Sequence, residues 1–416
     1  MNPIASASSN WHTPVADDHP AAALLNAEAV RRHCAQIMAR AERDAATHFT
    51  WHPERLDAVA AYVADTIRLQ YPDLQVPYHS RWRHFEAGGI DRWGSLAALA
   101  GLHGSERART RIDLVIPSVL LDAGAGPDWH YLDQPHAVQL ARSEGLGVAS
   151  LALFASGALS ADRSQPLRSD ASALAALSEQ TVATAFQVSV DNPLVGLAGR
   201  VQMLRRLGDV AAATPAVFGP TGRLGMLFDY LADHASGKQI DAAFILATLL
   251  RALGPVWPGR IVLDGVSLGD CWAHPDVEGG LLPFHKLTQW LTYSLLEPLE
   301  EAGFEVTGLD QLTGLPEYRN GGLLLDLGLL VPRNPAFCST RLTVDDPAVV
   351  EWRALTVIAL DRVADAVRTQ LGLSVEAFPL ARVLEGGTWA AGRRIAAERR
   401  PGGTPPVNIA SDGTVF

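Results

Sequence analysis

DDPAVVEWRALTVIALDRVADAVRTQLG, residues 345–372, sets the architecture of this chain. Asp345 and Asp346 stand before Pro347, a residue favoured at the first helical position, and Gly372 closes the segment. Between them Trp352, Leu355, Ile358, Val363 and Val367 recur at helical spacing, so the stretch predicts a long helix with one apolar face.

Similar periodicity runs outward from it. Leu24, Leu25, Ala29, Val30, Cys34, Ile37 and Met38 predict a helix from Ala21 to about Asp44, and a second is expected from Pro53 to about Gln70. Further helices are expected over 106–121, 135–156, 170–186, 193–207, 224–234, 240–253, 283–302 and 388–399. Strand candidates are short: 260–263, 305–307, 323–330 and 407–409. The expectation is a mainly α fold, a compact multi-helix domain over 21–416 with a few short β-strands, preceded by a flexible N-terminal arm, 1–20. Gly and Pro are dispersed rather than gathered into a linker, and no fixed-period repeat is visible.

Composition narrows the function. With 416 residues, 48% of them hydrophobic, the chain can bury a large core. A net charge of −11 argues against general nucleic-acid binding but leaves room for a local basic pocket holding a small anion. Cys34, Cys271 and Cys338 are isolated and odd in number, which points away from a disulfide framework and toward a reducing cytoplasm. No membrane span is expected, and the first twenty residues lack the basic-then-apolar order of a secretory leader. HExxH and GxxxxGK[ST] are absent from the sequence, and neither a catalytic metal nor another cofactor is expected.

Polar chemistry gathers in a few stretches. GLPEYRNGGLLLDLG, 314–328, sets Glu317, Tyr318, Arg319 and Asn320 against Gly321 and Gly322 at the edge of a leucine run. Such groups are costly to bury, and paired glycines let backbone approach a ligand; the alternative is a solvated surface turn. YHSRWRHFEAGG, 78–89, mixes Arg81, Arg83, His84 and Glu86 with aromatics, which suits a planar or phosphorylated ligand or a surface cation–π cluster. In 281–303, His285, Gln289 and Tyr293 step by four along one helical face, and Lys286 at a helix start could hold an anion.

VLLDAGAGPDW, 119–129, resembles the glycine loop of Rossmann-type methyltransferases, yet Glu144 lacks the strand setting that a ribose-binding acid needs there. The same stretch offers Asp128 and Trp129 as pocket-lining residues, Trp supplying a flat face. LEGGTWAAGR, 384–393, places Gly386, Gly387 and Thr388 ahead of a helix, where they could hold phosphate or cap the helix. The terminal SDGTVF, 411–416, reads as a segment tied to the body.

Taken together, VPYHSRWRHFEAGGIDRW from Val76, IPSVLLDAGAGPDW from Ile116, NPLVGLAGR from Asn192, FHKLTQWLTYSLLEPLEEAG from Phe284, TGLDQLTGLPEYRNGGLLLDLG from Thr307, VEWRALTV from Val350 and LEGGTWAAGR resemble the uracil catabolism protein 4 family, a domain of unknown function. The resemblance implies a cytoplasmic route in which uracil becomes a ribonucleotide, its ring is opened, and a ribosyl-urea phosphate is split. Two of these stretches also resemble the queuosine salvage N-glycosylases, which implies a helical-glycosylase-like fold. Residue by residue, that likeness carries a Lys and a Gln onto Lys286 and Gln289 and an Asp-Tyr-Arg onto Glu317, Tyr318 and Arg319. His285 stands where those proteins have an aromatic residue.

The expected activity is metal-independent hydrolysis of an N-glycosidic bond. Glu317, with Asp310 in reserve, would stabilise the sugar and activate water; His84, Tyr318 or Arg319 would donate to departing urea; Lys286, His285 and Arg81 would hold phosphate. A uracil-related phosphoribosyltransferase, an amidohydrolase acting on the ureido group, a methyltransferase and a non-catalytic scaffold are the other classes. A small-molecule substrate, phosphorylated and derived from a pyrimidine, is the expected partner.

Overall fold

The computed structural model describes residues 15–122, 124–257 and 260–410. Most of the expected N-terminal arm and all of SDGTVF lie outside the described residues, although Val15 is already buried and Pro20–Ala23 form a 3₁₀ turn. The fold is mainly α. Its principal helices are α1 (Ala27–Glu42), α2 (Leu56–Gln70), the single turn α3 (Trp82–Phe85), α4 (Gly104–Leu120), α5 (Arg142–Ala155), α6 (Lys286–Glu301), α7 (Tyr318–Asp326), α8 (Pro347–Leu371) and α9 (Ala390–Arg399).

Helix α8 forms as its sequence requires. The Asp346 carboxylate accepts from the Ala348 N–H at 2.8 Å, Pro347 occupies the first turn, and Gly372 ends the helix in a left-handed conformation with φ of 69°. Residues 349–360 of α8 are all buried, so the apolar stripe widens there to the whole circumference. Helices α1 and α2 pack along α8, α4 packs along α6, and α7 lies between α8 and α9. Among the described residues no helix is long and apolar enough to cross a membrane.

Among the described residues strands are short and paired in twos. Phe49–Trp51 runs antiparallel to Leu330–Pro332, and Arg341–Thr343 parallel to Asn408–Ala410. Several expectations are corrected. Residues 318–326 are helix α7 rather than part of a strand, because Glu317 caps that segment and the strand begins only at Leu330. Residues 138–141 form a hairpin with His130–Asp133 instead of opening a helix; Ala137 and Arg142, each at φ of 54°, break the chain on either side. Helix α6 starts at Lys286, since residues up to Pro283 pair with Cys271–Ala273.

The glycine pairs are corrected too. A Cβ on Gly321 would collide with the Trp352 indole, and one on Gly322 would sit 2.9 Å from Pro406. Gly386 and Gly387 lie inside a π-helical turn, Val383–Trp389, pressed against Tyr71, Val76 and Val63. These glycines serve close packing of protein on protein, so they present no backbone to a ligand.

Candidate active site

The loop that delivers Glu317 is gripped first. Gln289 Nε2 donates to the Thr313 hydroxyl at 2.6 Å and Gln289 Oε1 accepts from the Thr313 N–H at 2.9 Å. The Tyr293 hydroxyl donates to the Thr313 carbonyl at 3.0 Å. Four residues on, the Glu317 carboxylate caps α7, accepting from the Asn320 N–H at 2.6 Å and the Arg319 N–H at 2.9 Å. Only 9% exposed, this charge is held by the helix N-terminus. Asn320 is turned inward, donating to the Leu315 carbonyl and accepting from the Thr388 hydroxyl at 2.8 Å.

Glu317 faces a cavity of about 350 Å³. Trp290 from α6 and Trp389 from the π turn form its apolar walls, with His79 and His84 packed against both indoles. Asp122 and residues 124–127 close one side, and Ser143 and Glu144 at the start of α5 close another. Arg81 ties that corner together, reaching Ser118 at 2.7 Å, Asp122 at 2.8 Å and His84 Nδ1 at 3.1 Å. Burial alone would raise the Asp122 carboxyl, but the Arg81 guanidinium outweighs it and holds Asp122 below the usual carboxylate range. Burial, with Arg81 beside it, pushes the His84 imidazole down to about 4, so it is neutral at pH 7. Burial also lowers Lys286, against the opposing pull of Glu317.

A second cavity, about 520 Å³, adjoins the first and shares Arg142, Arg319 and Arg393 with it. Arg399 and Arg400 extend its basic lining, with Glu398 as the acidic member. Arg142 donates to the Gly402 carbonyl at 3.2 Å and Arg319 to the Gly403 carbonyl at 2.8 Å. Arg393 lies 4.8 Å from the Trp389 ring centre and pairs with Glu144. Burial lowers the Arg319 pKa; Glu317 opposes this, and the like charges of Arg142 and Arg393 add to the lowering. Three guanidiniums held this close repel one another, and an anion between them would relieve the repulsion.

The family described as a protein of unknown function, DUF1688, matches residues 23–416. The chain belongs to this family. Over 404 residues it is 38% identical to Protein urg3 of Schizosaccharomyces pombe, covering 95% of this chain and 98% of that protein. It is 36% identical to Uracil catabolism protein 4 of Lachancea kluyveri, covering 96% of this chain and 99% of that one.

Within this DUF1688 chain the structure gathers some of the expected residues and leaves others apart. His84, Lys286, Glu317, Tyr318 and Arg319 line the inner cavity. Arg81, Gln289 and Asn320 sit behind it and hold its parts in place. His285 belongs to a separate small cavity, its Nε2 2.8 Å from the Leu24 carbonyl. Asp310 is exposed on a 3₁₀ turn, Leu309–Gln311, outside the lining. Arg83 is paired with Glu86 and Glu297, Asp128 is exposed, and Trp129 is buried with its N–H on the Phe186 carbonyl.

The run before Asp122 is helix α4 and not a strand, so the setting of a methyltransferase loop is missing. Sequence reasoning passed over His79, Asp122, Arg142, Ser143, Trp290, Trp389 and Arg393 as lining residues. Most stand inside the polar stretches quoted above. Their neighbours in space come from distant segments, as with His79 and Glu385, which are 306 residues apart.

Proposed function

We propose that the chain is an N-glycosyl hydrolase of uracil catabolism, splitting a ribosyl-urea 5′-phosphate into urea and ribose 5-phosphate. The observation that carries this reading is the polarity of the joined cavities. Glu317, Asp122 and the two tryptophans belong to the inner cavity alone, whereas Arg142, Arg319 and Arg393 belong to both. A phosphomonoester suits the arginine junction, because forked guanidinium donors match its oxygens. A ribose then reaches inward between the indoles, and Glu317 faces its anomeric carbon. The name of the Lachancea kluyveri relative supports the pathway.

Breaking an N-glycosidic bond builds positive charge on the sugar, and a carboxylate already fixed beside it stabilises that charge without reorganising. Glu317 is so fixed by two backbone N–H groups. The departing urea needs hydrogen-bond donors, a role for neutral His84 and for Tyr318. The charges of Lys286 and Glu317 bear on each other and partly offset.

Incubating the protein with ribosyl-urea 5′-phosphate and following products by mass spectrometry tests the proposal. Urea and ribose 5-phosphate should appear in equal amounts. Release of urea or ammonia without the sugar phosphate, or no turnover at all, would overturn it.

A further inference from the structure

The two histidines of the inner cavity meet partners of opposite kind. His79 Nδ1 lies 2.6 Å from the Glu385 carboxylate, which only accepts, so Nδ1 carries a proton and Nε2 is the nitrogen left to exchange one. His84 Nδ1 lies 3.1 Å from an Arg81 guanidinium nitrogen, which only donates, so that nitrogen is bare and the proton sits on Nε2. Both rings are 5% exposed. Each is packed against the same two indoles, at centroid distances of 5.6 and 6.3 Å.

From this geometry we propose that His79, oriented by Glu385, is the proton acceptor of the cavity and that His84, oriented by Arg81, is its complementary donor. This rests on the hydrolase reading and assigns its proton steps. The oxygen of a bound water bonds to the anomeric carbon while its proton passes to His79 Nε2, leaving an imidazolium beside Glu385. The electron pair of the breaking carbon–nitrogen bond departs with urea, and His84 Nε2–H bonds the urea carbonyl that shares the charge. Urea nitrogen takes a proton from solvent and His79 returns one. One water is consumed and nothing is oxidised or reduced. Glu317, with both oxygens engaged by α7, remains a fixed negative charge.

Glu385 and Arg81 are positioning residues here. The charged groups bearing on His84 are Arg81, Asp122, Glu144 and Glu385, and on His79 it is Glu385 that makes direct contact. Its burial keeps His84 neutral across the working range, which suits a permanent donor and excludes it as the titrating base.

Two measurements decide the matter. Long-range proton–nitrogen spectra of the full chain labelled in histidine, with signals assigned through His79→Gln and His84→Asn, should show the two rings as opposite tautomers. Finding both rings with the same nitrogen protonated would overturn the proposal even in an inactive protein.

Kinetics on ribosyl-urea 5′-phosphate form the second arm. His79→Gln should lower kcat by roughly 10²–10⁴-fold, leave KM within a few-fold and abolish the acidic limb of the pH–rate profile. Glu385→Gln should shift that limb, and Glu385→Asp should restore part of it. An active His79→Gln variant with an unchanged limb refutes the base assignment. Opposite tautomers in a protein that leaves the substrate intact would uphold the donor–acceptor pair while refuting the hydrolase reading.

Discussion

Two sets of arginines in this molecule, one buried in the body and one half-buried to exposed at the junction of the cavities, are treated differently. In the body, Arg353 meets Asp270 through two 2.8 Å bonds, Arg92 meets Asp133, and Arg223 meets Asp113. At the junction of the cavities, Arg142 and Arg319 meet the carbonyls of Gly402 and Gly403, and Glu144 is the carboxylate that pairs there, with Arg393. Charge in the body is balanced within the chain. At the junction cations outnumber the carboxylates that touch them, and backbone dipoles make up only part of the difference. Where a folded chain leaves such an excess beside a cavity, the ligand is expected to supply the missing charge.

The largest effect should come from breaking the balanced set. Asp270→Asn strands Arg353 in the interior and should cost about 3–5 kcal/mol of stability in urea unfolding. A loss below 1 kcal/mol would erase the contrast. Next comes Glu317→Gln, which should reduce turnover by about 10²–10³-fold while substrate binding stays within a few-fold. Unchanged turnover would move the catalytic charge elsewhere.

Acid should act between the two regions, at His84. Folding lowers its pKa from 6.5 to about 4, so between those values the unfolded chain binds a proton that the folded chain refuses. Stability is therefore complete above about pH 6.5 and falls as pH drops toward 4, by roughly 3 kcal/mol from this residue. His84→Asn should flatten that part of the pH–stability curve. The smallest effect belongs to the junction: Arg393→Ala should weaken binding of ribose 5-phosphate by about tenfold and leave the unfolding free energy within about 0.5 kcal/mol. A large loss of stability in that variant would place Arg393 with the body arginines.

The fold was legible where local signals agreed. The Asp346–Pro347 start and Gly372 stop of α8, and the apolar stripes of α1 and α2, follow from rules acting over a few residues. Those rules failed where an alternative fitted the same letters. Val138, Leu140 and Ala141 have helical spacing yet lie in a hairpin, because left-handed Ala137 and Arg142 isolate them. In the site, the run from Glu317 to Arg319 could be singled out because its polar groups are contiguous. The His79–Glu385 contact could not, since each partner alone is an ordinary polar residue and only the tertiary fold brings them together.

The π turn at Val383–Trp389 carries a consequence for how this wall could change over time. Such a turn holds one residue more than an α-helix would place there. Within it Glu385 must address His79, and downstream Arg393 must address Glu144. Deleting a single residue from the turn would close it into regular α winding and remove the local widening from which Glu385 reaches His79. The widened coil thus sets where Glu385 points, and neither a change in its length nor a side chain at Gly386 or Gly387 should be tolerated there.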